Sequence, residues 1–259
     1  MKRFLVFSYG IASYLIFFAA FLYSIGFIGN IWVPKSMDSP ATLPWVQALA
    51  IDLGLLALFA IQHSGMARPA FKRWLTRFIP AAAERSTYVL MSTLALIAIM
   101  VFWQPLGGMV WQVESGIGYT ILLSLYLGSW ALLLYATFLI NHFDLFGLRQ
   151  VWDELRNQET QALGFVTPAL YRIVRHPIYV GWLGIFWFTP TMTVTHLVFA
   201  VVTSIYTVLG MKLEERDLAK AHPEYRQYMR KVPALIPSLR RRLKKDTGTI
   251  VITPARAPS

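Results

Sequence analysis

The sequence predicts an all-α, polytopic integral membrane protein, and three observations support this prediction. Hydrophobic residues make up 56% of the 259 residues, and the mean hydropathy is +0.50. Charged residues amount to 14%, well below the roughly 25% that is typical of soluble domains. Apolar runs long enough to cross a hydrocarbon layer of about 30 Å recur along the chain. The chain has no cysteine, which excludes disulfides, thiolate metal sites and a cysteine nucleophile.

About five to six transmembrane helices are expected from these runs. The first four predicted spans are 4–29, 43–63, 87–104 and 118–141. A tight helical hairpin follows, with arms at 177–189 and 194–211 that are joined by the polar, proline-containing turn 189–193. Its first arm would be only about 20 Å long as a helix, too short to cross the membrane alone without tilt. The number of spans is therefore five or six.

The distribution of basic residues predicts the orientation of these spans. Of the 24 Lys and Arg residues, Lys35 alone lies on the side opposite to the others. The rest precede the first span, lie in 64–86 and 142–177, or follow residue 211. The positive-inside rule then places both termini in the cytosol, in a multi-pass protein of the cytoplasmic membrane.

The net charge of +11 is explained by this asymmetry without a nucleic-acid partner. The basic C-terminal region is first of all expected to contact anionic lipids of the bilayer, and a partner-binding tail is the alternative. We predict a single membrane-embedded domain over 1–245 and a disordered tail over 246–259, where apolar residues are few. The sequence leaves the oligomeric state open, including a homo-oligomer.

The first arm of the hairpin begins with Arg175-His176-Pro177. Proline suits the first turn of a helix and keeps the preceding residue out of helical geometry, so a helix is predicted to begin here. The N–H groups at this helix start, together with Arg175, suit a carboxylate or phosphate. Tyr179 shares a helix face with His176, and Gly181 allows another helix to approach closely, which could serve packing or a ligand.

The returning arm carries Tyr206 and Glu214 on one helical stripe. Glu214 and Glu215 lie at the C-terminal end of the helix, where the dipole favours cations instead. Two carboxylates there make sense if a cation binds them. That cation could be a neighbouring side chain, Arg216 or Lys212, or the ammonium or sulfonium of a substrate.

The two arms thus offer opposite polarities side by side, with donors and Arg175 on one and carboxylates on the other. An amino-acid zwitterion fits this arrangement. S-adenosylmethionine carries such a zwitterion and a sulfonium, which aromatic faces can hold by cation–π attraction. The aromatic candidates for this contact are Tyr179, Tyr206 and Tyr225.

A further short helix is predicted to begin at His222-Pro223 and to carry Tyr225 and Tyr228. The proline-rich run 232–237 is expected to lie back across the site.

Three motifs of this region resemble a known group of membrane enzymes. RHPIY-x-G, LEERDL and HPEYRQYM resemble the C-terminal core of the isoprenylcysteine carboxyl methyltransferase superfamily, which includes phospholipid methyltransferases and NnrU-like proteins. The resemblance covers 168–240 and implies that this core binds S-adenosylmethionine. The positions that match the motifs are Arg175, His176, Pro177, Tyr179, Gly181, Glu214, Glu215, His222, Tyr225 and Tyr228.

The segments LINHFDLFGLRQVW and LYRIVRHPIYVGW and the turn TPTMT resemble, more narrowly, the methanethiol S-methyltransferases. This resemblance implies methylation of the small thiol methanethiol to dimethyl sulfide, with S-adenosylmethionine as the methyl donor. Two alternatives stay open: methylation of a prenylated peptide or phospholipid, and a non-catalytic membrane binding or transport protein built on the same core.

Thiol methylation requires the loss of one proton, because the thiolate is the nucleophile. The candidate bases are His142, His176 and Glu214, and proton loss to water without a dedicated base is the alternative. His142 could equally cap the fourth helix. A metal site formed by His142, Asp144 and His176 matches no known spacing, so we expect no metal. Asp52 is expected to pair inside the protein, with Gln62, His196 or a hydroxyl.

Overall fold

The computed structural model describes residues 1–161 and 166–237, so the predicted disordered tail, 246–259, lies outside the described residues. The helices of this part are α1 Lys2–Gly29, α2 Trp45–Met66, α3 Pro69–Leu75, α4 Glu84–Phe102, α5 Gly116–Ile140, α6 His142–Leu145, α7 Leu148–Leu155, α8 Pro177–Trp187, α9 Val194–Ala221 and α10 Pro223–Lys231. Two short 3₁₀ turns lie at Ala81–Ala83 and Ala169–Arg172. The strands are β1 Met109–Gln112 and β2 Thr191–Thr193.

Five helices of the described residues are long and apolar enough to cross a membrane: α1, α2, α4 with its preceding 3₁₀ turn, α5 and α9. Their outward faces expose large apolar side chains such as Leu15, Leu58, Ile61 and Ile205. Such residues are stable on a surface that faces lipid. The all-α, polytopic membrane fold predicted from the sequence is confirmed, and the protein is an integral membrane protein.

The hairpin of α8 and α9 differs from the expected pair of helices. Helix α8 has 11 residues, about 17 Å at 1.5 Å per residue, and the chain continues through the non-helical residues 188–190 into β2. The first arm of the hairpin is therefore partly helix and partly strand, whereas the second arm, α9, is a continuous helix. The segment predicted as a simple turn contains β2, which pairs antiparallel with β1. Sequence reasoning missed this sheet because its strands are short and distant in the chain.

Helix α8 packs closely against α5 through its glycines. A Cβ atom on Gly184 would lie 2.2 Å from Ser129 Oγ, and one on Gly181 would lie 2.9 Å from Leu133 Cβ. Gly181 was expected to bind a cofactor, but it faces the neighbouring helix. The close approach of α5 accounts for a glycine at this position.

Polar contacts fall on two opposite faces of the helix bundle. On one face, Arg3 at the beginning of α1 pairs with Glu154 of α7, and Arg68 before α3 pairs with Asp217 near the end of α9. On the other face, Asp38 accepts a hydrogen bond from Thr193 at 2.5 Å.

Asp38 also contacts the buried His196, since its Oδ2 lies 3.3 Å from Nδ1. The expected pairing of Asp52 with His196 or Gln62 is therefore wrong. Asp52 accepts from the backbone N–H of Gln104 at 2.8 Å instead. That N–H has no partner inside a helix, because α4 ends two residues earlier, at Phe102. The sequence pattern did not indicate this helix end.

Candidate active site

A cavity of about 650 Å³ lies between the helices at the face that carries the N-terminus. This volume falls within the roughly 300–1,000 Å³ of typical small-molecule sites. Most of its wall is apolar or aromatic, with contributions from Phe17, Phe21, Phe59, Trp130 and Trp182. The beginning of α8, the last turns of α9 and the first turns of α10 add polar side chains. The cavity can thus hold a polar group at one end while keeping another part of a ligand away from water.

Arg175 and Glu215 form an ion pair beside this cavity. Arg175 Nε donates to Glu215 Oε1 at 2.8 Å, and Arg175 Nη2 lies 2.6 Å from the same oxygen. Arg175 Nη1 donates to the carbonyls of Met229 at 3.0 Å and Val232 at 2.5 Å. The two charged side chains are only 10% and 12% exposed. Arg175 therefore joins the beginning of α8 to the ends of α9 and α10.

This pairing changes two expectations from the sequence. The cation beside Glu215 is Arg175, which is 40 residues away in the chain, and not Lys212 or Arg216. Arg216 lies 3.6 Å from Asp217 instead. Arg175 was expected to bind a ligand carboxylate, but its guanidinium is engaged by the protein.

The proline-rich segment 232–237 returns across the beginning of α8, as expected. The N–H of Arg175 donates to Pro233 O at 2.9 Å, and the N–H of His176 donates to Ala234 O at 3.1 Å. These two N–H groups, which precede the first residue of α8, are thus bonded to the backbone.

Glu214 is placed differently from its neighbour. Its Oε2 accepts a hydrogen bond from the Tyr179 hydroxyl at 2.6 Å and lies 3.9 Å from His176 Nδ1. Its side chain is 47% exposed, against 12% for Glu215, and it lines the cavity. Of the two glutamates, Glu214 is therefore the carboxylate that a ligand can reach.

His176 lies between the two glutamates. Its Nε2 is 2.9 Å from Glu215 Oε1, and its ring stacks on Tyr179 with the ring centres 5.2 Å apart. The residue is buried but lines the cavity. Because Glu215 holds one ring nitrogen and Glu214 faces the other, His176 positions the glutamates and Tyr179 together.

The tyrosines predicted for the site divide into two groups. Tyr179 and Tyr225 line the cavity, as does His222. Burial, reinforced by Glu215 and Glu214, raises the pKa of Tyr225 to about 12, so its ring stays neutral near pH 7. Tyr206 lies behind the wall, with its hydroxyl 3.0 Å from Ser64 Oγ. Its expected contact with a cofactor is therefore not supported by its position.

Tyr228, a motif position, also lines the cavity, and its hydroxyl donates to the carbonyl of Tyr171. It thereby connects α10 to the turn before α8.

His142 is surrounded by aromatic rings at another part of the cavity wall. Its ring stacks on Phe138, with the ring centres 4.2 Å apart, and it is 2% exposed. Its Nδ1 is 2.8 Å from Thr137 Oγ1, and its Nε2 is 2.8 Å from the Tyr14 hydroxyl. The Thr137 hydroxyl donates its hydrogen bond to Leu134 O, so it can only accept from His142. His142 Nδ1 must therefore donate to Thr137, and Nε2 must accept from Tyr14. Burial lowers the pKa of His142, which favours this neutral form.

The three residues considered for a metal have separate partners. His142 contacts Tyr14 and Thr137, Asp144 pairs with Arg149 at 3.1 Å, and His176 contacts Glu215. Within residues 1–161 and 166–237, no group of three or more His, Asp or Glu side chains could hold a metal ion.

Sequence reasoning missed the contribution of α2 and α4 to the cavity. His63, near the end of α2, lines it together with Arg85, Tyr88 and Ser92. The Tyr88 hydroxyl lies 2.9 Å from His63 Nε2. A signal existed, because positions 85, 88 and 92 fall on one face of a helix that is otherwise largely apolar.

The structure predicts that Arg175 acts mainly on stability. We expect Arg175→Ala to lower the free energy of unfolding by roughly 3 kcal/mol, because it leaves the buried Glu215 carboxylate with His176 alone. Thermal unfolding of the detergent-solubilised protein measures this loss. Arg172→Ala is the matched control, since that exposed side chain donates only to Thr167 O. An unchanged unfolding temperature with lost ligand binding would instead make Arg175 a ligand residue.

The sequence of the chain is similar to those of several known proteins. It is 52% identical over 238 residues to methanethiol S-methyltransferase of Crocosphaera subtropica, covering 92% of this chain and 93% of that one. It is 46% identical over 238 residues to methanethiol S-methyltransferase of Mycobacterium tuberculosis, covering 92% and 98%. It is also 31% identical over 196 residues to nurim of Sus scrofa, covering 72% of each chain.

No protein-family model matches the chain, and no solved structure matches it. The similarity to these two methanethiol S-methyltransferases nevertheless covers 92% of this chain. The chain belongs to the methanethiol S-methyltransferase family.

Proposed function

We propose that this protein methylates methanethiol to dimethyl sulfide at the cavity between α1, α2, α4, α5, α8 and α9, with S-adenosylmethionine as the methyl donor. The observation that carries the proposal is the combination of this aromatic cavity with relatives named methanethiol S-methyltransferase at 46–52% identity. The transfer forms a bond between the thiol sulfur and the methyl carbon, breaks the sulfonium–methyl bond of the donor, and releases one proton.

The residues of the cavity fit the chemistry of this donor. It supplies an electrophilic methyl group on a sulfonium when bound. Glu214, the exposed glutamate, would hold the ammonium of its amino-acid group by a charge-assisted hydrogen bond. The rings of Tyr179 and Tyr225 are neutral aromatic faces in the same wall and would attract the sulfonium by cation–π interaction.

The cavity also suits methanethiol, which is small, neutral and apolar. Such a molecule partitions into a bilayer and fits among the side chains of Phe17, Phe21 and Trp130. A water-poor site favours the reaction, because thiolate and sulfonium lose their charges when the methyl group is transferred. His142 would take the thiol proton at Nε2, where the thiol would replace the Tyr14 hydroxyl as the hydrogen-bond donor. His176 is hydrogen-bonded to Glu215, and Glu214 accepts from Tyr179.

The orientation and extent of the enzyme follow from the same reasoning. The face that carries the cavity mouth also carries the N-terminus and most basic residues, so we place it, with both termini, in the cytosol. We further propose that 1–245 forms one domain in which 168–240 is the donor-binding core.

The test is gas analysis of the purified protein in detergent, incubated with methanethiol and methyl-labelled S-adenosylmethionine. We expect labelled dimethyl sulfide in the headspace. Protein that had been heat-inactivated is the control for uncatalysed transfer. Label appearing only in prenylated peptides or phospholipids would favour the alternative enzyme, and no transfer to any acceptor would favour a binding or transport protein.

A further inference from the structure

The cavity has a second polar wall that none of the recognised motifs contains. It is formed by His63 on α2 and by Arg85, Tyr88 and Ser92 on α4. His63 Nδ1 is 3.2 Å from Ser92 Oγ, and the Tyr88 hydroxyl contacts the same imidazole, so these three side chains satisfy one another. Arg85 is the charged member of the group and is not satisfied in this way.

Arg85 is anchored by one nitrogen and leaves the rest of its guanidinium for other contacts. Its Nε donates to the carbonyl of Leu145 at 2.8 Å, and its guanidinium carbon lies 5.4 Å from the centre of the Tyr88 ring. The adjacent Glu84 faces Lys72 at 3.9 Å. Among residues 1–161 and 166–237, Arg85 forms no ion pair with a carboxylate.

A half-buried arginine without a carboxylate, in the wall of a cavity, points to an anionic ligand group. Removing a cation from water is unfavourable unless a partner compensates for the lost hydration. The guanidinium offers a planar set of donors that matches a carboxylate with two parallel hydrogen bonds. Two arginines line the described cavity wall, and Arg175 is already engaged by Glu215 and two carbonyls. Arg85 is the arginine that remains.

The position of Arg85 relative to Glu214 suggests which anion it receives. The Arg85 guanidinium lies over the Tyr88 ring, Tyr179 donates to Glu214, and all four residues line the cavity. A cation and a carboxylate therefore line the same cavity. Their charges complement the carboxylate and the ammonium of an amino-acid group.

We propose that Arg85 binds the carboxylate of the methyl donor's amino-acid group, while Glu214 binds its ammonium. The assignment rests on the proposed function, since it takes S-adenosylmethionine as the donor. It replaces Arg175, which the sequence indicated for this role, with an arginine from the N-terminal half of the chain.

Calorimetric titration of the purified full chain tests the assignment with two ligands, S-adenosylmethionine and its decarboxylated analogue. The analogue keeps the sulfonium, adenine and amine but lacks the carboxylate. We expect the wild type to bind the analogue at least tenfold more weakly. Arg85→Gln should weaken S-adenosylmethionine at least tenfold and leave the analogue unchanged, so that the two ligands bind equally. Arg85→Lys should retain part of the preference.

Arg77→Gln is the matched control, because it removes an exposed cation from the same face of the protein. Binding of the analogue by Arg85→Gln also reports that this variant is folded. Equal binding of both ligands by the wild type, or equal weakening of both by Arg85→Gln, would overturn the assignment and leave the proposed donor intact. Failure of the wild type to bind either ligand would overturn the proposed donor and the assignment with it.

Discussion

Replacing His142 with asparagine is expected to lower kcat at pH 7 by a factor of about 10²–10⁴, the range that positioned general bases contribute. The physical reason is the fixed tautomer of this histidine. Thr137 holds the protonated Nδ1, so Nε2 carries the lone pair, and an asparagine amide can keep the bond to Thr137 but cannot accept a proton. Steady-state kinetics at saturating donor measure the effect.

The pH dependence of kcat in the wild type follows from the burial of His142. Because burial lowers the pKa of His142 below its ordinary value of 6.5, the neutral base persists as the pH falls below 6.5. The acidic limb of the kcat profile should therefore lie below pH 6.5. The His142→Asn variant should lose this limb and regain rate as the pH approaches the pKa of the thiol, which for a cysteine is about 8.5.

Tyr14→Phe is the matched control for this prediction. It removes the hydroxyl that contacts His142 Nε2 and leaves the imidazole in place, so kcat should change by only a few fold. Donor affinity should be unchanged in both variants. If His142→Asn keeps the wild-type kcat and pH profile, His142 is not the base, and catalysis rests on positioning and exclusion of water.

Replacing Glu214 with glutamine should weaken S-adenosylmethionine by roughly tenfold to a hundredfold, as expected for losing a charge-assisted hydrogen bond of about 1.5–3 kcal/mol. Glutamine can still accept from the Tyr179 hydroxyl, so the cavity wall should keep its shape. Calorimetry with the donor and with methylthioadenosine, which lacks the amino-acid group, separates the two effects. The affinity for methylthioadenosine should not change.

Asp217→Asn serves as the control for charge at this end of α9. It removes an exposed carboxylate that faces Arg68, away from the cavity wall. Its donor affinity should equal that of the wild type. Wild-type affinity in Glu214→Gln as well, or equal loss of both ligands, would show that Glu214 does not bind the ammonium.

The long spans and the polar hairpin mouth could be predicted from the sequence, because both depend on local properties. Length and apolar composition are sufficient to define a membrane helix, so four predicted spans correspond to α1, α2, α4 and α5. Pro177 was sufficient to predict where α8 begins, since proline fixes its own φ near the helical value and keeps the preceding residue out of helical geometry.

The roles of individual site residues were decided by the tertiary structure. Glu214 and Glu215 are neighbours in the chain and equivalent in chemistry, yet the packing of α8 buries one against Arg175 and leaves the other facing the cavity. Burial and partner choice depend on contacts between distant segments, which no local pattern encodes. For the same reason, the sequence indicated Arg175 as the free cation, whereas folding engages Arg175 and brings Arg85 from α4 into the wall of the same cavity.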